Sequence, residues 1–281
     1  MLYLKPFLQE FPFTLRFGDL TLHLDDASVG DIIQAISGLI AERGHSYTSR
    51  RIARVLHVQQ CALFVKSSLI ENLRSRLRMT LGKARRKGGL DWPIAELINT
   101  SEAYRRGLAM PRLKGFGYRR VGHGLVTEIF LVSECLDGCL NGVEWLKRPE
   151  AEVETFLLDA FDLMRQQHEQ QVFHLDLWVE NLMLSPQNPR SLKVIDLENC
   201  HIGKATHFAE TLGFQFGFLY QRCVLNYIDE ARYDQLVNDA LLAYPGLDRQ
   251  RFDTFFHACK HVIVGRKERR EILLRGVLIE G

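Results

Sequence analysis

The sequence predicts an α+β fold built as two unequal lobes, and three observations carry that expectation. Strand-like alternation lies before residue 135, and helical periodicity dominates from Glu150 onward. Charge changes sign along the same division. Residues 1–128 hold 20 Lys/Arg against 11 Asp/Glu and the remainder 16 against 23, so +9 and −7 nearly cancel to the net +2. At 281 residues and 46% apolar, the chain is long and apolar enough to give each lobe its own core. The expected division is an N-lobe over 1–136 and a helical C-lobe over 137–281.

The elements follow in order. Phe13, Leu15 and Phe17, then Leu20, Leu22 and Leu24, alternate as a strand pair over 12–24. Asp31 to Ile40 reads as a short amphipathic helix. The stretch 51–66 reads as two paired strands, the second being Cys61 to Val65 and ending at Lys66. A helix is expected from Asp91 to Arg106, stopped by Gly107 and Pro111. Strand-like runs follow at Gly124 to Thr127 and Ile129 to Glu134, with a turn at Asp137-Gly138. From Glu150 to Gln171, Val153, Phe156, Leu157, Ala160, Phe161 and Met164 recur at helical spacing. The first turn is acid-rich, which suits a helix N-terminus. Leu182 to Leu184 and Leu192 to Ile195 then form a hairpin around Ser185-Pro186-Gln187-Asn188-Pro189. Residues 206–281 read as largely helical.

Composition excludes several classes. No apolar run approaches the roughly 18 residues of a membrane span. The N-terminus lacks the basic start and apolar core of a signal peptide, so a cytoplasmic location is expected. The six cysteines form no CxxC pair, which fits reduced thiols better than a zinc site. Two basic clusters stand out. Residues 74–87 carry seven Lys/Arg and no acid, and residues 105–120 carry Arg105, Arg106, Arg112, Lys114, Arg119 and Arg120. Charge alone leaves nucleic acid, phosphate groups, an anionic membrane surface or plain solvated surface open as what they face. No nucleic-acid reader motif accompanies them, and no nucleic-acid partner is expected.

Chemistry concentrates in His174-Leu-Asp176-Leu-Trp-Val-Glu-Asn181, placed between the long helix and the hairpin. The second hairpin strand ends in Val194-Ile195-Asp196. Loop and strand-edge oxygens on Asp176, Asn181 and Asp196 suit Mg²⁺, a hard cation that takes oxygen ligands. A spare carboxylate there could orient or deprotonate a hydroxyl.

HxDxxxxN followed by an apolar strand ending in Asp resembles the catalytic and metal loops of the protein-kinase-like superfamily, and His168 matches a histidine often found at the end of the preceding kinase helix. The resemblance implies a bilobal kinase fold using ATP and Mg²⁺. It assigns Asp176 to the acceptor hydroxyl, and Asn181 and Asp196 to the metal. It also implies a phosphate-binding strand lysine, for which Lys66 is the candidate. Glu96 is its expected ion-pair partner and Glu102 the alternative. Phe130-Leu-Val-Ser-Glu134-Cys-Leu136 resembles the hinge, where backbone groups around Glu134 and Leu136 would bond adenine. Trp178 would contact the acceptor or simply pack.

Within that superfamily, residues 48–200 look most like the bacterial lipopolysaccharide core kinases, which phosphorylate heptose or Kdo sugars. The features are Leu63-Phe-Val-Lys66, a basic linker, Glu96 ahead of Gly107 and Pro111, the hinge, and Ile195-Asp196-Leu197. The implied partners are ATP and a core oligosaccharide or lipid-linked sugar acceptor, with peripheral contact to the inner membrane. Departures exist. No GxGxxG precedes Lys66, so a phosphate-covering loop over 44–51 would rely on backbone, hydroxyls and Arg50 or Arg51. Leu175 stands where an activation-loop-reading arginine would, and several core kinases carry another residue in place of Asn181. Another small-molecule kinase of aminoglycoside or choline type, or a non-catalytic pseudokinase, would share much of the pattern.

Overall fold

The computed structural model describes residues 7–27, 31–45, 51–58, 61–85, 90–121 and 124–278. The chain forms two compact units: residues 1–101 with 111–137, and residues 102–110 with 138–281. The 102–110 segment departs from the expected division. Ala103, Leu108 and Met110 lie in the core of the second unit, and Val194 N–H donates to the Ala109 carbonyl at 2.9 Å.

In the first unit, α1 (Phe7–Glu10) precedes the hairpin β1 (Phe13–Phe17) and β2 (Leu20–Leu24), which turns at Gly18 with φ +56. Next come α2 (Ile32–His45), β3 (Arg51–Val58), β4 (Cys61–Leu69), α3 (Leu73–Leu81), α4 (Trp92–Arg105), β5 (Leu113–Val121) and β6 (Leu125–Glu134). Six antiparallel strands form one sheet in the order β1-β2-β5-β6-β4-β3. Both faces are covered. On β6, Ile129 and Leu131 join one apolar cluster with Met79, Ile94 and Leu97 of the α3 and α4 side. Phe130 and Val132 join another with Ile32 and Ile36 of α2. That two-sided burial explains the unbroken apolar run Ile129 to Val132.

Three local expectations change. The two runs on either side of Glu128 are one strand, because the buried Glu128 carboxylate accepts from Ser67 Oγ and pairs with Arg119. The basic linker begins as helix α3. Asn72 caps it by accepting from Arg74 N–H at 2.8 Å, and Gly82 ends it with φ +66. The helix expected to end at Ile40 runs on to His45. The phosphate-covering loop expected over 44–51 lies mostly outside the described residues, as do Arg50, Arg86 and Lys87.

The second unit holds β7 (Leu140–Asn141), α5 (Gly142–Leu146), α6 (Val153–Glu169), β8 (Val172–His174), β9 (Leu182–Ser185), β10 (Asn188–Val194), β11 (Cys200–Ile202), α7 (Phe208–Arg222), α8 (Glu230–Leu241), α9 (Arg249–His261) and α10 (Arg266–Arg275). Two small sheets, β10-β9-β7 and β11-β8, frame the loops around Asp176 and Asp196. The amphipathic face of α6 enters a core shared with α7, whose residues Ala209 to Tyr220 are all buried. All six cysteines are free thiols, and burial pushes Cys200 and Cys259 up to about 12.

Helices α7 and α9 approach backbone to backbone. A Cβ at Gly213 would stand 2.4 Å from the Phe252 carbonyl oxygen, and one at Gly217 2.7 Å from that of Phe256. Gly213→Ala and Gly217→Ala are each expected to cost about 1–3 kcal/mol, read as a lower urea midpoint. Wild-type midpoints would contradict the close approach.

Candidate active site

Each unit carries its own set of functional groups. In the first, the alternation of β4 sends Leu63 and Val65 toward the α2 side and Lys66 to the opposite face. There Lys66 Nζ donates to Glu96 Oε1 of α4 at 2.7 Å, with Glu96 buried. Glu102, the alternative partner, belongs to the second unit and pairs with Arg105 and Arg106. At the end of β6, Glu134 N–H donates to the Arg112 carbonyl at 2.9 Å, and Glu134 Oε2 accepts from Arg112 N–H. The Glu134 amide is therefore already engaged. A base pairing along this segment would have to use other backbone groups there, those of Leu136 among them.

In the second unit, the loop from His174 to Asn181 is held by a closed set of hydrogen bonds. His174 Nε2–H donates to the Ile195 carbonyl at 3.0 Å, while its Nδ1 accepts from Asp176 N–H at 3.1 Å. Both ring nitrogens are thereby assigned, and burial lowers the pKa of the imidazole, consistent with the neutral form. Asn181 Nδ2 donates to the Asp176 carbonyl at 2.8 Å, and Ile195 N–H donates to the Asn181 carbonyl at 3.0 Å. The Asp176 loop and the strand leading to Asp196 are thus one bonded assembly. Asp196 has φ +63, one of two positive-φ non-glycine residues among those described. Backbone in this region is strained for a side-chain-bearing residue and concentrates at functional sites.

The donor chemistry fits a hard divalent cation. The Asn181 amide nitrogen is engaged, so its oxygen is the atom that could ligate a cation, and Asp196 could add a carboxylate from the adjoining loop. The sequence does not announce the supports of this loop. Arg269, far along the chain on α10, donates to Asp176 Oδ1 and to the Leu175 carbonyl. Gln215 Nε2 donates to the His174 carbonyl at 3.1 Å. Gln215 Oε1 therefore accepts from His168 Nε2–H at 2.9 Å, and His168 Nδ1 takes the Tyr244 hydroxyl at 3.1 Å. Separation in sequence hides Arg269, Gln215 and Tyr244, while His168 is the one support that the resemblance marks.

Burial lowers His168 to about 4. The neutral ring is what the folded chain holds, so unfolding takes up a proton below the ordinary value of 6.5. This contribution is complete above pH 6.5 and is lost as pH falls toward 4, about 3 kcal/mol in all. Unfolding free energy should therefore fall over that window, and less steeply in His168→Asn. Parallel profiles for the two proteins would contradict it.

The basic clusters resolve differently. In 105–120, Arg119 is bidentate to Asp19 and also meets Glu128, Arg112 and Lys114 pair with Asp25, and Arg106 bonds Glu102 and the Gln170 carbonyl. That cluster is largely neutralised from within. In 74–87, Arg78 and Arg85 pair with Asp91, and Arg76 Nε bonds the Ile70 carbonyl. Arg74 and Lys83 stay exposed, together with Leu73, Leu77 and Leu81. Trp178 is partly buried, with the Arg222 guanidinium 4.5 Å over its ring.

Comparison with known proteins follows from this geometry. None of the curated proteins compared matches the chain. A solved structure described as "WaaP in complex with acyl carrier protein" is 18% identical, over 90% of this chain and 91% of that one, at a TM-score of 0.41. The sequence model of the lipopolysaccharide kinase (Kdo/WaaP) family matches residues 39–211, more than half of the chain. That span takes in Lys66, Glu96, Asp176, Asn181 and Asp196, and the chain belongs to the lipopolysaccharide kinase (Kdo/WaaP) family.

Proposed function

We propose that this lipopolysaccharide kinase transfers the ATP γ-phosphoryl group to a hydroxyl of an inner-core heptose or Kdo residue, with Asp176 as the group that orients that hydroxyl and takes its proton. The observation that carries the reading is the bonded loop His174-Asp176-Asn181-Ile195, which fixes the Asp176 backbone at two atoms. A carboxylate so held needs little reorganisation to meet a reacting hydroxyl. Asn181 Oδ1 and Asp196 would hold Mg²⁺, which when bound neutralises charge on the phosphates. Lys66, braced by Glu96, would fix the α/β-phosphates, and the backbone near Glu134 and Leu136 would receive the adenine. Incubation of the purified protein with labelled ATP and Kdo- or heptose-bearing core oligosaccharides tests the reading. Label should appear on the sugar, and transfer only to aminoglycosides or choline would refute it.

A second reading concerns location. No described helix is long and apolar enough to cross a membrane. Leu73, Leu77 and Leu81 make an exposed stripe at four-residue spacing on α3, beside Arg74 and Lys83. This pattern suits a basic amphipathic helix lying on an anionic lipid surface. Co-sedimentation with phosphatidylglycerol vesicles but not phosphatidylcholine vesicles is expected, and Leu77→Ser should weaken it. Equal recovery with both vesicle types would contradict it.

A further inference from the structure

Helix α10 directs three arginines, at positions i, i+3 and i+4, onto the loops that carry Asp176 and Asp196. Arg266 Nη1 donates to Glu198 Oε1 at 2.7 Å, and Arg270 Nε reaches Asn199 Oδ1 at 3.4 Å. Between them Arg269 is buried. Its Nε donates to the Val264 carbonyl at 2.9 Å and its Nη1 to the Leu175 carbonyl at 3.1 Å and to Asp176 Oδ1 at 2.5 Å. The guanidinium lies 4.3 Å over the Phe218 ring. Leu175 N–H also donates to the Asn199 carbonyl at 2.9 Å, so both loops are tied to each other as well as to the helix.

The loop itself brings no cation to Asp176, since Leu177, Trp178, Val179 and Glu180 fill the interval to Asn181. A buried guanidinium requires a counter-charge, and the Asp176 carboxylate supplies it. We propose that Arg269 is a positioning residue for phosphoryl transfer. It locks Oδ1 of Asp176 and so presents Oδ2 as the oxygen that receives the acceptor hydroxyl proton. The proposal rests on the assignment of Asp176 given above.

The chemistry favours arginine specifically. A charge-assisted bond to one carboxylate oxygen stops rotation about Cβ–Cγ, so one rotamer is present before substrate arrives. Only a planar fork with several donors serves the Val264 carbonyl, the Leu175 carbonyl and Asp176 together. Lysine keeps the charge but, as a point donor on a flexible stem, cannot fix the same geometry.

The test measures kcat, the KM for ATP and the melting temperature of Arg269→Lys, Arg269→Gln, Leu273→Ala and Asp176→Asn, with and without millimolar methylguanidinium. Leu273 is buried on α10 in the apolar cluster that also holds Leu175, Phe218 and Val264 and carries no polar group, so its truncation loosens the packing of the helix while leaving every donor of Arg269 in place. Arg269→Lys should lose about 10–100-fold in kcat with little change in KM, because a misplacement near 1 Å costs about that much. Arg269→Gln should lose more, and methylguanidinium should restore part of that loss. Leu273→Ala should lower the melting temperature while keeping its kcat. Arg269→Gln combined with Asp176→Asn should be no slower than Asp176→Asn alone.

Full activity of Arg269→Gln beside an inactive Asp176→Asn would overturn the positioning role and leave the reading of Asp176 intact. A fully active Asp176→Asn would overturn that reading itself. A kcat loss in Arg269→Gln that methylguanidinium does not restore and that Leu273→Ala reproduces would reduce Arg269 to a structural residue.

Discussion

Asp176→Asn is expected to lower kcat by about 10²–10⁴-fold, the range for losing a positioned proton acceptor, with the KM for ATP changed far less. Asparagine keeps the shape of the side chain and an oxygen for Arg269 but not the counter-charge, so the fold should persist with a lowered melting temperature. Alanine is the poorer test. It leaves Arg269, only 7% exposed, without its carboxylate, and should cost about 1–3 kcal/mol of stability besides activity. A stopped enzyme that still unfolds in one cooperative transition is therefore the informative result for the asparagine variant. Wild-type turnover would remove Asp176 from the mechanism.

Lys66→Met should have the second largest effect, about a 10²–10³-fold loss of kcat/KM, comparable to losing one preorganised charge at a transferring group. Lys66 lies on β4 between the buried Val65 and Ser67, and its Nζ is held at 2.7 Å from Glu96, so its position is set before ATP arrives. Glu96→Gln keeps a hydrogen-bond acceptor but gives up the charge. A smaller loss is expected, concentrated in the KM for ATP. Steady-state kinetics over a range of ATP concentrations distinguishes the two variants. Equal losses in both would mean that Glu96 does more than brace Lys66.

Much of this was legible in the sequence because it depends on short-range pattern. Strand alternation places Lys66 opposite Leu63 and Val65, and the 3.6-residue period places Phe156, Leu157, Ala160, Phe161 and Met164 in one core. The spacing from His174 through Asp176 to Asn181 is local and survives as a bonded loop. The contacts that hold this loop are long-range. Arg269 is 93 positions from Asp176 and Gln215 is 41 from His174, and neither carries a local signature of what it touches. The basic clusters show the opposite failure. Composition marks them as charged surface, but whether a charge is neutralised depends on partners such as Asp19, Asp25 and Asp91, which only folding brings to them. Glu128 misled for the same reason, since its burial beside Ser67 and Arg119 turns an apparent break into the middle of one strand.

The most direct measurement of the central claim is mass spectrometry of a Kdo- and heptose-bearing core oligosaccharide after incubation with the purified protein, ATP and Mg²⁺, run beside Asp176→Asn. The account predicts one added phosphate on a core sugar with the wild-type protein and none with the variant. An unmodified oligosaccharide with the wild-type protein, or the same phosphorylated product with Asp176→Asn, would contradict it.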